Sequence, residues 1–175
     1  MTYFRGEGPG RGRKQPEAAI ASFRVACGQL IGPSDIEKAE LETPGSALLP
    51  LNIPYAKGIF TARGFGTSME PWIKDGNSLF FHPHVVGTRQ DRFVLVEDQG
   101  TIGGERYTLK KYRSKMKLNP DGTSSHDWIR LHSLNPEYPP IPLDPDGRYR
   151  IVGWYVGQAK HIQRVETYRY PDADE

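Results

Sequence analysis

Turn-forming sequences recur along this chain and separate short runs that are rich in β-branched and aromatic residues. Such runs favour strands, and clusters of Gly, Pro, Asn and Asp between them favour tight turns. The predicted strands span 59–65, 78–82, 92–97, 106–112, 128–132 and 149–165, with turn clusters at 74–77, 98–100, 119–122 and 144–147. The 19 glycines and 15 prolines argue against a helical bundle. The pattern predicts a mainly β fold, a compact and twisted β domain.

The composition limits the class of protein. A chain of 175 residues with 37% apolar and 25% charged residues fits one soluble globular domain with tails. It has no apolar run near the roughly 18 residues of a membrane span, and no apolar core of a signal peptide. One cysteine excludes an intramolecular disulfide, so we expect a cytoplasmic protein. The net charge of +2 says little about partners.

The chain divides into four predicted segments: a flexible N-terminal arm at 1–27, a linker at 28–44, a β domain at 45–168 and a frayed acidic tail at 169–175. The first 16 residues are basic and glycine-rich, which predicts disorder. Their charges could touch nucleic acid, although such a segment is more often only a solvated arm. Residues 16–25 suit either a short helix or an extended arm. A capping box predicts a short helix over 34–42.

A serine and a lysine stand where they could form a nucleophile and its base. Ser68 lies in a glycine-flanked turn after an apolar run, and Lys110 lies 42 residues later on a predicted strand. A lysine can activate a serine only as the neutral amine, and at pH 7 about one free lysine in a few thousand is neutral. Burial in an apolar cleft can lower a lysine pKa by roughly 3–5 units. Thr108 would share a face with Lys110 and could orient its amine, which favours Lys110 over Lys111.

The sequence also offers an oxyanion hole and a bond that could be cut. The tight turn would expose the backbone N–H groups of Ser68 and Met69 as an oxyanion hole. Cys27-Gly28 offers a small-residue peptide bond as substrate. Each signal alone has a plainer interpretation, as a turn serine, a lysine at a strand edge or a small buried cysteine.

Together, these segments resemble the self-cleaving Ser–Lys peptidases of the LexA, UmuD and phage-repressor family. The resemblance covers roughly residues 24–160. The matching segments are Arg24-Val25-Ala26-Cys27-Gly28 (cleavage site), Gly66-Thr67-Ser68-Met69-Glu70-Pro71 with Asp75-Gly76 (nucleophile), Thr108-Leu109-Lys110-Lys111 (base), the stretch 131–141 and the closing strand 151–157.

The resemblance implies a β domain of the LexA/signal-peptidase type that needs no cofactor or metal. Ser68 would be the nucleophile, Lys110 the general base, Met69 and Thr108 supporting residues, and Cys27-Gly28 the bond cut. It also implies a homodimer and activation by a recombinase filament on single-stranded DNA. Only 26 residues precede Cys27, so we expect no helix-turn-helix domain, no direct sequence-specific DNA binding, and a UmuD-like architecture.

The chain departs from the family pattern at two short motifs and in two longer segments. Thr67 stands where an acidic residue is usual, and Gly76-Asn77 replaces a Gly-Asp pair. The loop 100–106 and the insert 114–126 are also longer than usual, which suggests that they bind a partner specific to this protein.

Three functions remain open. One is a self-cleaving regulator of the SOS/DNA-damage response whose cleavage changes its partner, for example to a translesion polymerase. Another is a peptidase of the same fold in a mobile element or defence system. The last is a dimerisation module that does not cut.

Two further features have ordinary interpretations beside functional ones. His82 and His84 have a spacing that could suit a metal, but no third ligand lies near them in sequence. Trp72, Trp128 and Trp154 are expected in the core or at a dimer interface and not as base-stacking platforms.

Overall fold

The computed structural model describes residues 15–20, 25–27, 45–83, 87–101, 106–143 and 147–165. These residues form strands and no helix, so the predicted mainly β fold is confirmed. The strands are β1 (Glu17–Ile20), β2 (Val25–Ala26), β3 (Gly45–Leu48), β4 (Phe60–Phe65), β5 (Ser78–His82), β6 (Phe93–Asp98), β7 (Tyr107–Leu118), β8 (Ser124–His132), β9 (Ile141–Pro142) and β10 (Tyr149–Ala159). Within this part of the chain, no helix could cross a membrane.

The strands join into one sheet in the order β3-β1-β4-β5-β10-β6-β7-β8-β9. The short strand β2 lies off this path and pairs in parallel with both β4 and β7. Because β4 and β7 are already linked through β5, β10 and β6, β2 closes these strands into a ring. Closure gives the two strand edges a hydrogen-bonding partner.

Two predicted turns connect strands in the manner that the sequence indicates. The N–H of Asn77 donates to the carbonyl of Lys74 (3.2 Å), and the N–H of Gly122 donates to that of Asn119 (3.0 Å). Gly76 and Gly122 have φ values of +80° and +82°, a left-handed conformation that favours glycine. The second turn joins β7 to β8, so the insert 114–126 is the outer part of a long β-hairpin.

The core consists of three apolar clusters distributed along the sheet. The first surrounds the predicted site and contains Val25, Cys27, Ala62, Met69, Ile73, Leu79, Phe81, Leu95 and Leu109. The second packs under β1 around Phe80, and the third lies under β6, β7 and β8 around Leu131. The first cluster places the turn after β4 and the middle of β7 against the same apolar interior.

Several local predictions need correction. The helical alternative for 16–25 is wrong at Glu17–Ile20 and at Val25, which lie in strands. They hydrogen-bond to neighbouring strands, and this tertiary pairing overrides weak local helix signals. The predicted strand 149–165 ends earlier, at Ala159. The predicted helix 34–42, the first 14 residues and the tail from 166 onward lie outside the described residues.

Candidate active site

The predicted nucleophile lies in a turn that begins where β4 ends. Gly66 adopts φ +89°, which allows the chain to reverse direction. The N–H of Gly66 donates to the Asp75 carboxylate at 2.8 Å and fixes the start of the turn. Ser68 follows with no exposed surface, so its hydroxyl faces the protein interior.

Strand β7 brings the predicted base to this serine. The Lys110 ammonium nitrogen Nζ lies 2.9 Å from Ser68 Oγ and donates a hydrogen bond to it. Both residues are buried, Lys110 at 3% exposure. The structure therefore brings together two side chains that are 42 positions apart in sequence.

The surroundings of Lys110 change its acidity in the direction that a base requires. Burial lowers the pKa of Lys110 from 10.5 to about 8, while the neighbouring Cys27 acts in the opposite direction. Burial also raises the pKa of the Cys27 thiol to about 12, so near neutral pH this thiol is uncharged and does not stabilise an ammonium. With a pKa of about 8, roughly a tenth of the Lys110 amines are neutral at pH 7.

The segment that carries the predicted cleavage site lies against the same turn. Val25 and Ala26 pair with Gly64 and Phe65 of β4, and on the other side with β7. The Cys27 N–H donates to the Phe65 carbonyl, and the Cys27 carbonyl accepts a hydrogen bond from the Ser68 N–H. Gly28, on the other side of the predicted scissile bond, lies outside the described residues.

The side chains of this segment fit into the core. Val25 and Cys27 are 0% and 1% exposed and belong to the cluster that includes Met69 and Leu109. The two residues are therefore held by apolar packing as well as by backbone pairing. A larger side chain at Cys27 would have to displace core atoms.

The supporting residues also adjoin the site. Met69 is fully buried directly after Ser68, and its carbonyl accepts a hydrogen bond from Ile73 (3.0 Å). Thr108 is buried on the Lys110 side of β7 and pairs with Ala26 of β2. Their support of Ser68 and Lys110 stays a prediction.

A second segment clamps the nucleophile turn from outside. The Ser68 carbonyl accepts hydrogen bonds from the N–H groups of Leu134 and Asn135, both at 2.9 Å. The Thr67 hydroxyl lies 2.8 Å from the Tyr138 hydroxyl. Sequence analysis noted this stretch only as a motif and assigned it no role, since contacts over 71 positions leave no local signal.

A comparison with protein families agrees with this geometry. A family model described as Peptidase S24-like matches residues 20–156, which is most of the chain. The chain belongs to the Peptidase S24-like family. The suspected relation to LexA/UmuD-like peptidases is confirmed, and the Peptidase S24-like match includes the nucleophile turn, β7 and the Cys27 segment. A search among proteins of curated function gave no significant match.

Family membership makes the chain a LexA/UmuD-type serine peptidase in fold. The sequence also singled out two histidines and three tryptophans. Within the described residues no group of three or more His, Cys, Asp or Glu side chains could hold a metal, and His84 lies outside them. Trp154 is buried under the Arg92 guanidinium, whereas Trp72 is 65% exposed and packs edge-on to Phe93.

Proposed function

We propose that this chain is a self-cleaving serine peptidase that cuts its own Cys27-Gly28 bond with a Ser68–Lys110 dyad. One observation carries the proposal. The Cys27 carbonyl accepts the Ser68 N–H while Lys110 Nζ lies 2.9 Å from Ser68 Oγ. Substrate carbonyl, nucleophile and base thus meet in one buried site.

The reaction follows from the chemistry of these groups. Neutral Lys110 accepts the Ser68 proton as the oxygen attacks the carbonyl carbon of Cys27. The Ser68 N–H, with that of Met69 as the second expected donor, stabilises the oxyanion. The tetrahedral intermediate then collapses, Lys110 returns the proton to the departing Gly28 amine, and an acyl-enzyme forms at Cys27. Lys110 next activates a water molecule, which hydrolyses the ester and frees Ser68.

The tethered substrate supplies much of the expected rate. β2 belongs to the same chain, and its pairing with β4 and β7 orients the bond before reaction. Such positioning replaces a bimolecular encounter by an effectively unimolecular step. We therefore expect cleavage within one chain.

The biological role that we propose is a UmuD-like regulator of the SOS/DNA-damage response in the cytoplasm. Loss of residues 1–27 would change the partner of the remaining domain, for example to a translesion polymerase. Activation by a recombinase filament and a homodimeric state belong to the same proposal. Its support is the match to LexA/UmuD-like peptidases over residues 20–156.

The test is the intact mass of the purified chain over time at pH 7 and near pH 10. We expect a fragment that begins at Gly28 and forms faster at alkaline pH, where more Lys110 is neutral. Ser68→Ala and Lys110→Ala should both remain whole at either pH.

Matched variants distinguish loss of chemistry from loss of fold. Ser133→Ala and Lys111→Ala change the same residue types outside the dyad and should still cleave. If the parent chain stays whole at both pH values, even with an activated recombinase filament, the chain is a non-cutting interaction module. Cleavage that survives Ser68→Ala would exclude the proposed nucleophile.

A further inference from the structure

The long β7–β8 hairpin carries a second concentration of functional groups, on the face to which Lys111 points. Residues two apart on a strand share a face, and so do residues directly opposite each other in an antiparallel pair. Arg113 pairs with Arg130, and Lys115 pairs with Trp128. The face, called here the basic face, consists of Lys111, Arg113, Lys115, Lys117, Trp128 and Arg130.

Positive side chains outnumber negative ones on the basic face. Its five cations are partly offset by two carboxylates. Asp91 contacts Lys111 and Arg113, and Asp127 lies 3.8 Å from Lys115. The whole chain, by contrast, has a net charge of only +2. The pKa of His132, opposite Lys111, is lowered by burial first and then by Arg113, Arg130 and Lys111.

An aromatic ring lies among these cations, at a residue that the sequence analysis expects in the core or at a dimer interface. Trp128 is half-buried on the hairpin, and the Arg130 guanidinium lies 4.9 Å from its ring centroid. Arg113, Lys115, Lys117 and Arg130 are exposed, so their charged groups are open to a large ligand. Along β7 such alternate residues recur every ~6.6 Å.

We propose that the basic face binds single-stranded nucleic acid without sequence preference. Cations spaced along two strands would follow a phosphate backbone, and an aromatic platform would stack a base. A duplex would satisfy the cations but would leave Trp128 without an unstacked base. The proposal goes beyond peptide cleavage and is compatible with the expected lack of sequence-specific DNA binding.

The test is fluorescence anisotropy of labelled oligo-dT with the full chain at several salt concentrations. Combining Lys115→Gln, Lys117→Gln and Arg130→Gln should weaken binding at least about tenfold. It should also reduce the salt slope by about 2, since each phosphate contact to a single strand contributes about 0.7. These side chains are exposed, so circular dichroism should show an unchanged fold.

The matched control removes the same charge from the other basic segment of the chain. Arg11→Gln, Arg13→Gln and Lys14→Gln together should leave the affinity within about twofold of the parent, because the proposal places the phosphate contacts on the hairpin. Equal weakening by both triple variants would show that only net charge matters and would overturn the assignment. Weakening by the N-terminal variant alone would assign binding to that segment instead.

Two further measurements separate nucleic acid from other ligands. Trp128→Ala should weaken oligo-dT binding about fivefold or more, and Trp128→Phe should restore most of it, because stacking needs only a ring. Competition by polyglutamate as effective as that by oligo-dT would overturn the proposal in favour of an acidic protein partner. Absence of oligo-dT binding at low salt, or preference for duplex DNA, would also overturn it.

Discussion

At the scale of single residues, the burial of Lys110 disfavours its charged amine and thereby favours the neutral amine that a base requires. The amine is enclosed by the core and hydrogen-bonded to Ser68, and its pKa falls to about 8. An amine with a pKa near 8 is neutral often enough near pH 7 to act as a base. The same burial disfavours the folded state whenever the amine is charged.

We predict that Lys110→Met stabilises the fold at pH 7 by about 3 kcal/mol, the equivalent of its pKa decrease from 10.5 to about 8. Between these pH values the unfolded chain holds a proton that the folded chain lacks, so the free energy of unfolding of the parent rises with pH. The advantage of the variant should therefore shrink between about pH 8 and 10.5 and be smallest above that range. Urea unfolding of both proteins at pH 7 and at alkaline pH measures the difference.

Lys111→Met is the control for this prediction. Lys111 lies on the other face of β7 and contacts Asp91 at 3.3 Å, so its replacement should change stability by at most about 1 kcal/mol. A Lys110→Met variant less stable than the parent at pH 7 would contradict a strongly depressed lysine pKa.

Sequence analysis singled out Ser68, Lys110 and Cys27 because their short segments together resemble the LexA/UmuD family, although each segment alone has a plainer interpretation. It could not place the Tyr138 hydroxyl beside Thr67, or show that Ser68 is held by the backbone of Leu134. Those contacts depend on how distant strands meet, and local propensity carries no such information.

At the scale of elements, the strand β2 is only two residues long but positions the Cys27 segment. It lies between β4 and β7 and delivers the Cys27 carbonyl to the Ser68 N–H. Two residues are too few for a period-2 pattern, so the sequence could not assign this strand. Its position depends on backbone pairing and on the burial of Val25.

We predict that Val25→Asp reduces the rate of fragment formation by about 100-fold. A carboxylate at a fully buried apolar position would disfavour the docked strand by several kcal/mol. Ala19→Asp, at an exposed position of β1, should cleave at the parental rate. Mass spectrometry measures the rate of fragment formation for both variants, and thermal unfolding checks that each variant is folded. Parental cleavage by Val25→Asp would show that β2 docking is not required.

The clamp formed by residues 134–138 supports the turn that holds Ser68. Tyr138→Phe removes the hydroxyl that lies 2.8 Å from Thr67. Since a typical hydrogen bond contributes about 0.5–1.5 kcal/mol, we predict a cleavage rate about 2- to 12-fold lower at every pH. Tyr55→Phe, at an exposed tyrosine, is the matched control and should have no effect. A shift in the pH dependence instead of the rate would mean that Tyr138 acts on Lys110.

At the scale of the whole molecule, the sequence predicts the class of fold but not its connections. Most strand positions follow from alternating and β-branched residues, whereas β10 lies between β5 and β6 because of pairing across some 50 to 80 positions. Buried charge reinforces this non-local pairing. Asp98, at 1% exposure, receives two hydrogen bonds from Arg148, each of 3.0 Å.

We predict that Asp98→Asn lowers the free energy of unfolding at pH 7 by about 1–3 kcal/mol. Hydrogen bonding from Arg148 holds the pKa of Asp98 below its usual 3.8, so this contribution is present above pH 3.8 and is lost as pH falls below it. Denaturant unfolding at pH 7 and about pH 3 should show the difference between variant and parent shrinking. Asp127→Asn, on the exposed hairpin, should change stability by less than about 0.5 kcal/mol. A constant difference at both pH values would contradict the ionic origin.

The most direct test of the account is the rate constant for appearance of the Gly28 fragment, measured from about pH 6 to 10.5 at several protein concentrations. The account predicts a first-order rate constant that is independent of concentration, rises with pH and levels off above a midpoint near 8, the pKa of buried Lys110. It also predicts no fragment from Lys110→Ala at any of these pH values. A rate that is flat with pH, or that climbs without levelling in parent and Lys110→Ala alike, would contradict catalysis by the dyad.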